Sequence, residues 1–228
     1  MLVVSNIDLR TDLPHTEPLD FLKSFTKDFV LNLSNDYRYM KLGYYVSLHA
    51  ETLGDKVLPS TEDCVDAYRV PVLLLRASKN GVPTTPFLVA DSVSQILAEF
   101  DLPVVLFPIN PFSFRSLVVA RSRDALYKAF RSMSLNHRFA VCAQPFYSEI
   151  ISCKSFFGRC ASTYPRLDEV SQKVFQIFKI PICKLLMQRF DGHAYLCALQ
   201  PLSLKEILSS DVDRLSRALS LLSRKGFS

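Results

Sequence analysis

The chain has 228 residues, of which 49% are hydrophobic and 21% are charged, and its formal net charge is +5. A chain of this size and composition buries a substantial core, which excludes a largely disordered protein. The charge is mild, there is no long lysine and arginine run, and no apolar run approaches the roughly 20 residues of a spanning helix, so we expect neither nucleic acid nor a membrane as a partner.

The first predicted block is a small α/β unit. MLVVS, FVLNL (Phe29–Leu33) and DKVLPS predict short strands. A helix is predicted after Pro18, with one apolar face made of Leu19, Leu22 and Phe25. A second helix is predicted within Asp36–Gly54, because helical spacing relates Tyr45, Leu48, His49 and Thr52. Gly54 predicts its carboxyl end.

The second predicted block alternates helices and strands. Pro71 begins a helix, PVLLLRASKNG, that ends at Gly81. A strand in VPTTPFLVADS, the helix SVSQILAEF and the strands PVVLF and SLVVARS follow. The next helix has an apolar stripe formed by Leu126, Ala129, Phe130 and Met133, and RFAVCAQPF predicts a closing strand.

The third predicted block contains a hairpin. After the strand SEIISCKSFFGR and a helix over Leu167–Phe178, two strands are predicted about the turn Asp191-Gly192. A final helix carries Val212, Leu215, Leu219 and Leu222. The best domain boundary lies in Pro59–Tyr68, and the blocks predict three domains, residues 1–66, 67–147 and 148–228.

The six cysteines predict free, buried thiols. None forms a CxxC pair, and most lie in apolar runs such as AVCAQPF and IPICKLL. Four histidines are scattered without ligand spacing, so we expect no metal site. Since MLVVSNIDLR lacks the features of a signal peptide, we expect a cytoplasmic protein.

One segment has a specific motif. Within Asn32–Ser60 the pattern Y-x-Y-x-x-x-G-Y-Y-x-S-L-x-A-E-x-x-G leads into a strand ending in Pro-Ser. This segment resembles the N-terminal domain that precedes the catalytic module in RimK-like ATP-grasp proteins. The matching positions are Gly43, Tyr44, Tyr45, Ser47, Leu48, Ala50, Glu51 and Gly54.

Later segments resemble an ATP-grasp module. GVPTTP, PVVLF and SLVVARSRDAL are similar to the first ATP-grasp subdomain, CAQPF to the linker strand whose backbone meets adenine, and MQRFDGHAYLCALQPLSL to the late hairpin that carries a metal-binding Glu-x-Asn. The resemblance spans most of residues 32–222. It implies an α/β fold with a small N-terminal α/β unit followed by a two-lobed ATP-grasp-like α+β module.

The chain departs from the family at the positions that carry the chemistry. The lysine that ends the PVVLK strand of active members is Phe107, which cannot offset phosphate charge. The phosphate loop reads PINPFSFRS, with two prolines and no glycine, so it offers fewer backbone donors. The Glu-x-Asn motif reads Ala198-Leu199-Gln200, and alanine cannot hold magnesium.

Other residues are candidates for what remains of a site. Lys79, Arg115 and Arg121 are candidate nucleotide-binding cations, and Gln144 lies where adenine would be met. A solvated surface position also explains each of the three cations, and it is the more common role of such residues. Asp191 is explained by its turn, and Cys142 and Cys153 as structural thiols. Two interpretations remain for the mixed aromatic and polar helix face: it binds a partner, or it packs on the sheet. Its residues are Tyr44, Tyr45, Ser47 and Glu51.

Three functional hypotheses follow. The first is a non-catalytic RimK-like ATP-grasp protein, a pseudoenzyme that needs no cofactor and serves as a partner of an active ATP-grasp ligase or of its peptide substrate. The second is a divergent ATP-dependent carboxylate–amine ligase, with Mg-ATP as cofactor and Glu149, Asp168 and Glu169 as the candidate magnesium ligands. The third is a nucleotide-binding regulatory module without turnover.

Overall fold

The computed structural model describes residues 1–110, 117–160 and 165–225. The chain forms two compact units. One comprises Met1–Val65, Cys153–Lys184 and Pro201–Ser228, and the other comprises Asp66–Ser152 and Leu185–Gln200. The three sequence-based domains stay a prediction. Among the described residues, no helix is long and apolar enough to cross a membrane.

The first unit contains a parallel sheet. Its strands are β1 (Leu2–Ser5), β2 (His15–Thr16), β3 (Val30–Leu33) and β4 (Val57–Leu58). They pair in the order β2-β1-β3-β4. The helices of this part are α1 (Pro18–Phe21), α2 (Leu42–Leu53) and α3 (Thr61–Tyr68). A small core joins sheet and helices through Val4, Phe21, Val30, Val46 and Ala50.

The prediction for α1 is wrong in length and in face. The helix has 4 residues and buries Phe21, whereas Leu19 is 59% exposed and Phe25 is 84% exposed. After the first turn the backbone bonds shorten to the three-residue pattern, since Lys23 N donates to Asp20 O and Ser24 N to Phe21 O. The chain therefore leaves the helix before an apolar stripe can form.

The second helix ends where the sequence predicts. Gly54 has φ 83°, and its N–H donates to the carbonyls of Ala50 and Glu51, which a left-handed glycine cap permits. The residues whose spacing predicts the helix do not form its buried face, because Tyr45 and Leu48 are exposed. The helix buries Gly43, Val46, Ser47 and Ala50. A Cβ on Gly43 would lie 2.5 Å from Asp36 O, so this position requires glycine.

The second unit is built on an antiparallel sheet. Helix α4 (Val70–Lys79) precedes β5 (Leu88–Ala90), α5 (Val93–Glu99), β6 (Val104–Pro108), β7 (Val118–Ala120), α6 (Arg123–Met133) and β8 (Val141–Pro145). The strand order is β5-β8-β6-β7. As predicted, α6 buries Leu126, Ala129, Phe130 and Met133 against this sheet.

A third sheet contains β9 (Glu149–Phe156), β10 (Arg159–Cys160), β11 (Ile182–Phe190) and β12 (His193–Gln200) in the order β10-β9-β11-β12. The predicted hairpin turn is confirmed, since Asp191 has φ 48° and Gly192 has φ 70°. Helix α7 (Pro165–Phe178), a 3-10 helix (Leu204–Glu206) and α8 (Ser209–Lys225) complete the described fold.

The prediction of six free thiols is wrong for one pair. Cys153 and Cys160 form a disulfide with their Cα atoms 6.2 Å apart. The tight turn at Phe157 and Gly158, both with positive φ, folds β10 back on β9 and brings the two cysteines together. The other four, Cys64, Cys142, Cys183 and Cys197, are free and buried as predicted.

Charged residues attach the segment after β12 to the third sheet. Lys184 Nζ lies 2.6 Å from Glu206 Oε1, and Lys154 Nζ lies 2.8 Å from Asp211 Oδ2. Lys154 also donates to the backbone carbonyl of Glu206. The hydrogen bond from Lys184 is the largest cause that holds the pKa of Glu206 below its ordinary value, against the opposing effect of burial.

We predict that Glu206 contributes to the acid limb of stability. A lowered folded pKa gives stability that is present above the ordinary carboxyl pKa of about 4.3 and is lost as the pH falls through the folded value. Urea unfolding of Glu206→Gln is expected to show lower stability at neutral pH and a shallower decline below about pH 5.

Glu169→Gln serves as the control, because Glu169 forms a surface pair with Lys173 and its side chain is 66% exposed. It is expected to follow the wild-type curve. Equal acid slopes for Glu206→Gln and the wild type would contradict the prediction.

Candidate functional site

The candidate site lies on one face of the sheet formed by β5, β8, β6 and β7. Residues directly opposite in antiparallel strands share a face. Phe107 lies opposite Cys142, and Val105 lies opposite Gln144. The other face, with Val104 and Leu106, packs on α5 and α6. The face that carries Phe107 and Gln144 is therefore the one turned away from these helices, and we call it the Phe107 face.

Phe107 is a buried residue at the end of β6. Its side chain is 1% exposed. Its neighbour across the strand pair is Cys142, whose pKa burial raises to about 12, so this thiol stays protonated at neutral pH. Val105 is also fully buried on this face. The position where the family resemblance predicts a lysine is thus inside an apolar environment, where an unpaired charge is costly.

Gln144 is a fully buried side chain with its amide already paired. Thr85 Oγ1 donates to Gln144 Oε1 at 2.6 Å, and Gln144 Nε2 donates to the carbonyl of Cys197 at 3.0 Å. Thr85 N also donates to Leu196 O. The amide therefore ties β8 to the turn before β5 and to β12. Its nucleotide-binding role stays a prediction.

Gln188 on β11 is hydrogen-bonded to the backbone at the end of β8. It is not among the site residues predicted from the sequence. It is fully buried. Tyr147 N donates to Gln188 Oε1 at 2.8 Å, and Gln188 Nε2 donates to Pro145 O at 2.9 Å. A glutamine directly after the apolar run LLM of KLLMQRF was the available signal, because a buried amide needs specific partners.

The two candidate cations among the described residues lie on the surface. Arg121 directly follows β7, and its guanidinium carbon lies 5.2 Å from the centre of the Phe146 ring. Lys79 is exposed in the last turn of α4. Arg115 lies outside the described residues. Neither described cation shares a strand with Phe107, and Arg121 already contacts an aromatic ring.

The structure places the residues of the degenerate metal motif at the end of β12. Ala198 is 2% exposed, and Gln200 is half-buried. Among residues 1–110, 117–160 and 165–225, no group of three or more histidine, cysteine, aspartate or glutamate side chains is arranged to hold a metal.

The alternative carboxylates have other contacts. Glu149 lies 3.8 Å from Arg189 Nε, and Glu169 pairs with Lys173. Asp168 Oδ1 accepts from the backbone N of Cys160.

The four predicted partner-binding residues divide into two kinds. Ser47 is buried and donates to Pro59 O, and Glu51 accepts from the N–H and hydroxyl of Thr61 at the start of α3. Tyr44 and Tyr45 lie nearer the surface, with Tyr45 42% exposed and their ring centres 5.9 Å apart. Partner binding by these residues stays a prediction, and the geometry leaves the tyrosines as its accessible part.

Comparison with known proteins identifies the fold. The family model described as the RimK-like ATP-grasp N-terminal domain matches residues 20–218. A RimK domain ATP-grasp protein from Sphaerobacter thermophilus DSM 20745 is similar in structure, with a TM-score of 0.67 and 11% identity over 97% of this chain and 100% of that chain. No curated protein sequence matches.

Two ligases are similar as well. D-alanine–D-alanine ligase from Bacillus anthracis has a TM-score of 0.65 and 14% identity over 98% of this chain and 97% of its own. The ATP-grasp ligase PsnB, complexed with a minimal precursor, has a TM-score of 0.64 and 10% identity over 96% and 97%. At these identities the likeness shows the fold alone. The predicted fold class is confirmed.

We predict that a lysine at position 107 destabilises the protein. Phe107→Lys would bury an ammonium group beside Cys142, and we expect the free energy of unfolding to fall by about 3 kcal/mol or more, measured by urea titration. Phe107→Leu is the matched control and should cost about 1 kcal/mol. A stable Phe107→Lys protein that binds Mg-ATP would instead reveal a phosphate cleft at this position.

Proposed function

Since this chain belongs to the family of RimK-like ATP-grasp N-terminal domains, we propose that it is a non-catalytic accessory module of an amino-acid ligase system. In this proposal it retains the ATP-grasp fold, binds neither magnesium nor ATP, and acts through a partner, either an active ATP-grasp ligase or the peptide substrate of one. We propose a cytoplasmic location for it, which the four buried free thiols suit and the Cys153–Cys160 disulfide does not.

The observation that carries the proposal is the burial of Phe107. Phosphoryl transfer depends almost entirely on charge placed around the triphosphate. Phe107 offers an apolar ring that is 1% exposed, and its strand neighbours Val105 and Cys142 are neutral. A triphosphate placed on this face would lose its hydration without gaining a cation from Phe107, Val105 or Cys142.

The metal motif supports the same proposal. Magnesium in nucleotide sites is held by carboxylates together with the phosphates. Ala198 offers no ligand, and Gln200 offers a neutral amide. Without a carboxylate at these two positions the site binds the ion weakly and offsets less of the charge that develops in the transition state.

The family itself supports the accessory role. Its description is that of the N-terminal domain of RimK-like ATP-grasp proteins, and PsnB is described as an ATP-grasp ligase in complex with a precursor. A domain that accompanies a catalytic module has no need of its own phosphate site. The exposed tyrosine Tyr45 and its neighbour Tyr44 are the surface proposed for the partner, because aromatic side chains are enriched in protein interfaces.

A divergent ATP-dependent carboxylate–amine ligase is the alternative. It is motivated by the likeness in fold to a Bacillus anthracis ligase solved with ATP, which has a TM-score of 0.65 to this chain at 15% identity. Such an enzyme would form an acyl phosphate on a carboxylate substrate. Arg115 or Arg121 would then replace the missing lysine.

We predict that Mg-ATP leaves the melting temperature unchanged. A ligand at 100 times its dissociation constant stabilises a protein by about 2.7 kcal/mol, which for a chain of this size is a shift of several degrees. No shift at millimolar Mg-ATP, and no release of ADP, are the expected results. An active ATP-grasp ligase assayed alongside provides the positive control.

A clear shift would contradict the proposal. Loss of that shift in Arg115→Ala or Arg121→Ala, together with ADP release, would establish the ligase. A shift without any ADP release would instead indicate a regulatory nucleotide site.

A further inference from the structure

The end of β8 presents a pair of backbone groups on one edge. In an extended segment the carbonyl of one residue and the N–H of the residue two positions later point to the same side. Phe146 N donates to Pro103 O, so the N–H of Phe146 is turned toward β6. The carbonyl of Pro145 and the N–H of Tyr147 consequently face the opposite side, where they form an acceptor next to a donor.

The amide of Gln188 occupies this edge. Its Oε1 accepts from Tyr147 N–H at 2.8 Å, and its Nε2 donates to the Pro145 carbonyl at 2.9 Å. A carboxamide is a planar group with an acceptor beside a donor. Adenine has the same arrangement on one edge, where the ring nitrogen N1 accepts and the exocyclic amino group N6 donates. The two groups are therefore interchangeable on this backbone pair.

The surroundings of the edge suit a flat ring. The Tyr147 ring is stacked on the Phe190 ring, with the ring centres 4.9 Å apart. The centre of the Tyr195 ring lies 6.2 Å from that of Tyr147. Phe190 is 49% exposed, so the aromatic group reaches the surface. Aromatic side chains of this kind are the usual neighbours of stacked bases.

We propose that Gln188 is an internal occupant of a purine-recognition edge, holding the Pro145 carbonyl and the Tyr147 N–H in place of an adenine base. This inference rests on the proposed function and deepens it, since it adds an occupied base edge to the absence of charge at the phosphate position. Because Gln188 is fully buried and paired at both ends, displacing it would leave a polar amide without partners.

The experiment measures exchange of the Tyr147 amide proton by NMR. In the wild type this proton is protected, and millimolar adenosine or Mg-ATP leaves its exchange rate and chemical shift unchanged. In Gln188→Ala the edge is vacated, and the exchange rate rises about tenfold or more, the factor that corresponds to one ordinary hydrogen bond. Adding 2-aminopyrimidine, a single ring with the acceptor and donor of adenine, restores the protection.

Two controls isolate the edge. Pyrimidine lacks the amino donor and should restore nothing in Gln188→Ala. Gln188→Met removes both hydrogen bonds but keeps the side-chain volume, so its Tyr147 amide should exchange quickly whether or not 2-aminopyrimidine is present. If Gln188→Ala does not fold, Gln188→Ser takes its place with the same expected results.

Two results would overturn the inference. One is a change of the Tyr147 amide on adding adenosine or Mg-ATP to the wild type. The other is a folded Gln188→Ala or Gln188→Ser whose Tyr147 amide stays unprotected with 2-aminopyrimidine. Stabilisation of the wild type by Mg-ATP with an unchanged Tyr147 amide would instead contradict the proposed function while leaving the occupied edge intact.

Discussion

Two buried carboxamides hold the end of β8, and the second unit depends on them. Strand β8 lies between β5 and β6 in its sheet. Gln144 connects it to Thr85 and Cys197, and Gln188 connects the backbone beyond it to β11. Each amide has both its oxygen and its nitrogen paired, and removing one partner inside the protein costs the desolvation of the group left behind.

This arrangement is neutral throughout, and that constrains the chemistry. Val105 and Gln144 lie on the Phe107 face, and none of these three residues carries a charge. Neutral amides satisfy the buried backbone without requiring a counter-ion. A lysine or a metal-binding carboxylate in the same environment would need a partner that these strands do not supply. The apolar ring at position 107 and the paired amides beside it are thus two parts of one uncharged environment.

The sequence predicts the parts of the fold that local chemistry decides. The turn at Asp191 and Gly192, the cap at Gly54 and the stripe of α6 follow from backbone preference and helical spacing. The short helix α1 does not, because the turn after Phe21 overrides the apolar spacing. The Cys153–Cys160 disulfide could not be predicted from the spacing of the cysteines either, because it depends on the hairpin between β9 and β10.

The sequence predicts the site only in part, because some of its contacts join residues that are far apart along the chain. Phe107, Ala198 and Gln200 can be singled out from the sequence because the family resemblance predicts a lysine or metal-binding residues at their positions. Gln188 belongs to no motif, and its partners lie 41 and 43 residues away along the chain. Only the packing of β11 beside the end of β8 shows that its amide holds the edge. Long-range hydrogen bonds of this kind cannot be derived from local sequence patterns.

The central claim is that the chain's own side chains fill the Phe107 face and the backbone edge at Pro145 and Tyr147. The most direct measurement is a crystal structure of the protein grown with magnesium and a non-hydrolysable ATP analogue. The account predicts no ordered nucleotide and a Gln188 side chain still bonded to Pro145 and Tyr147. An ordered base on the Tyr147 N–H, with triphosphate and magnesium beside Phe107, would contradict it.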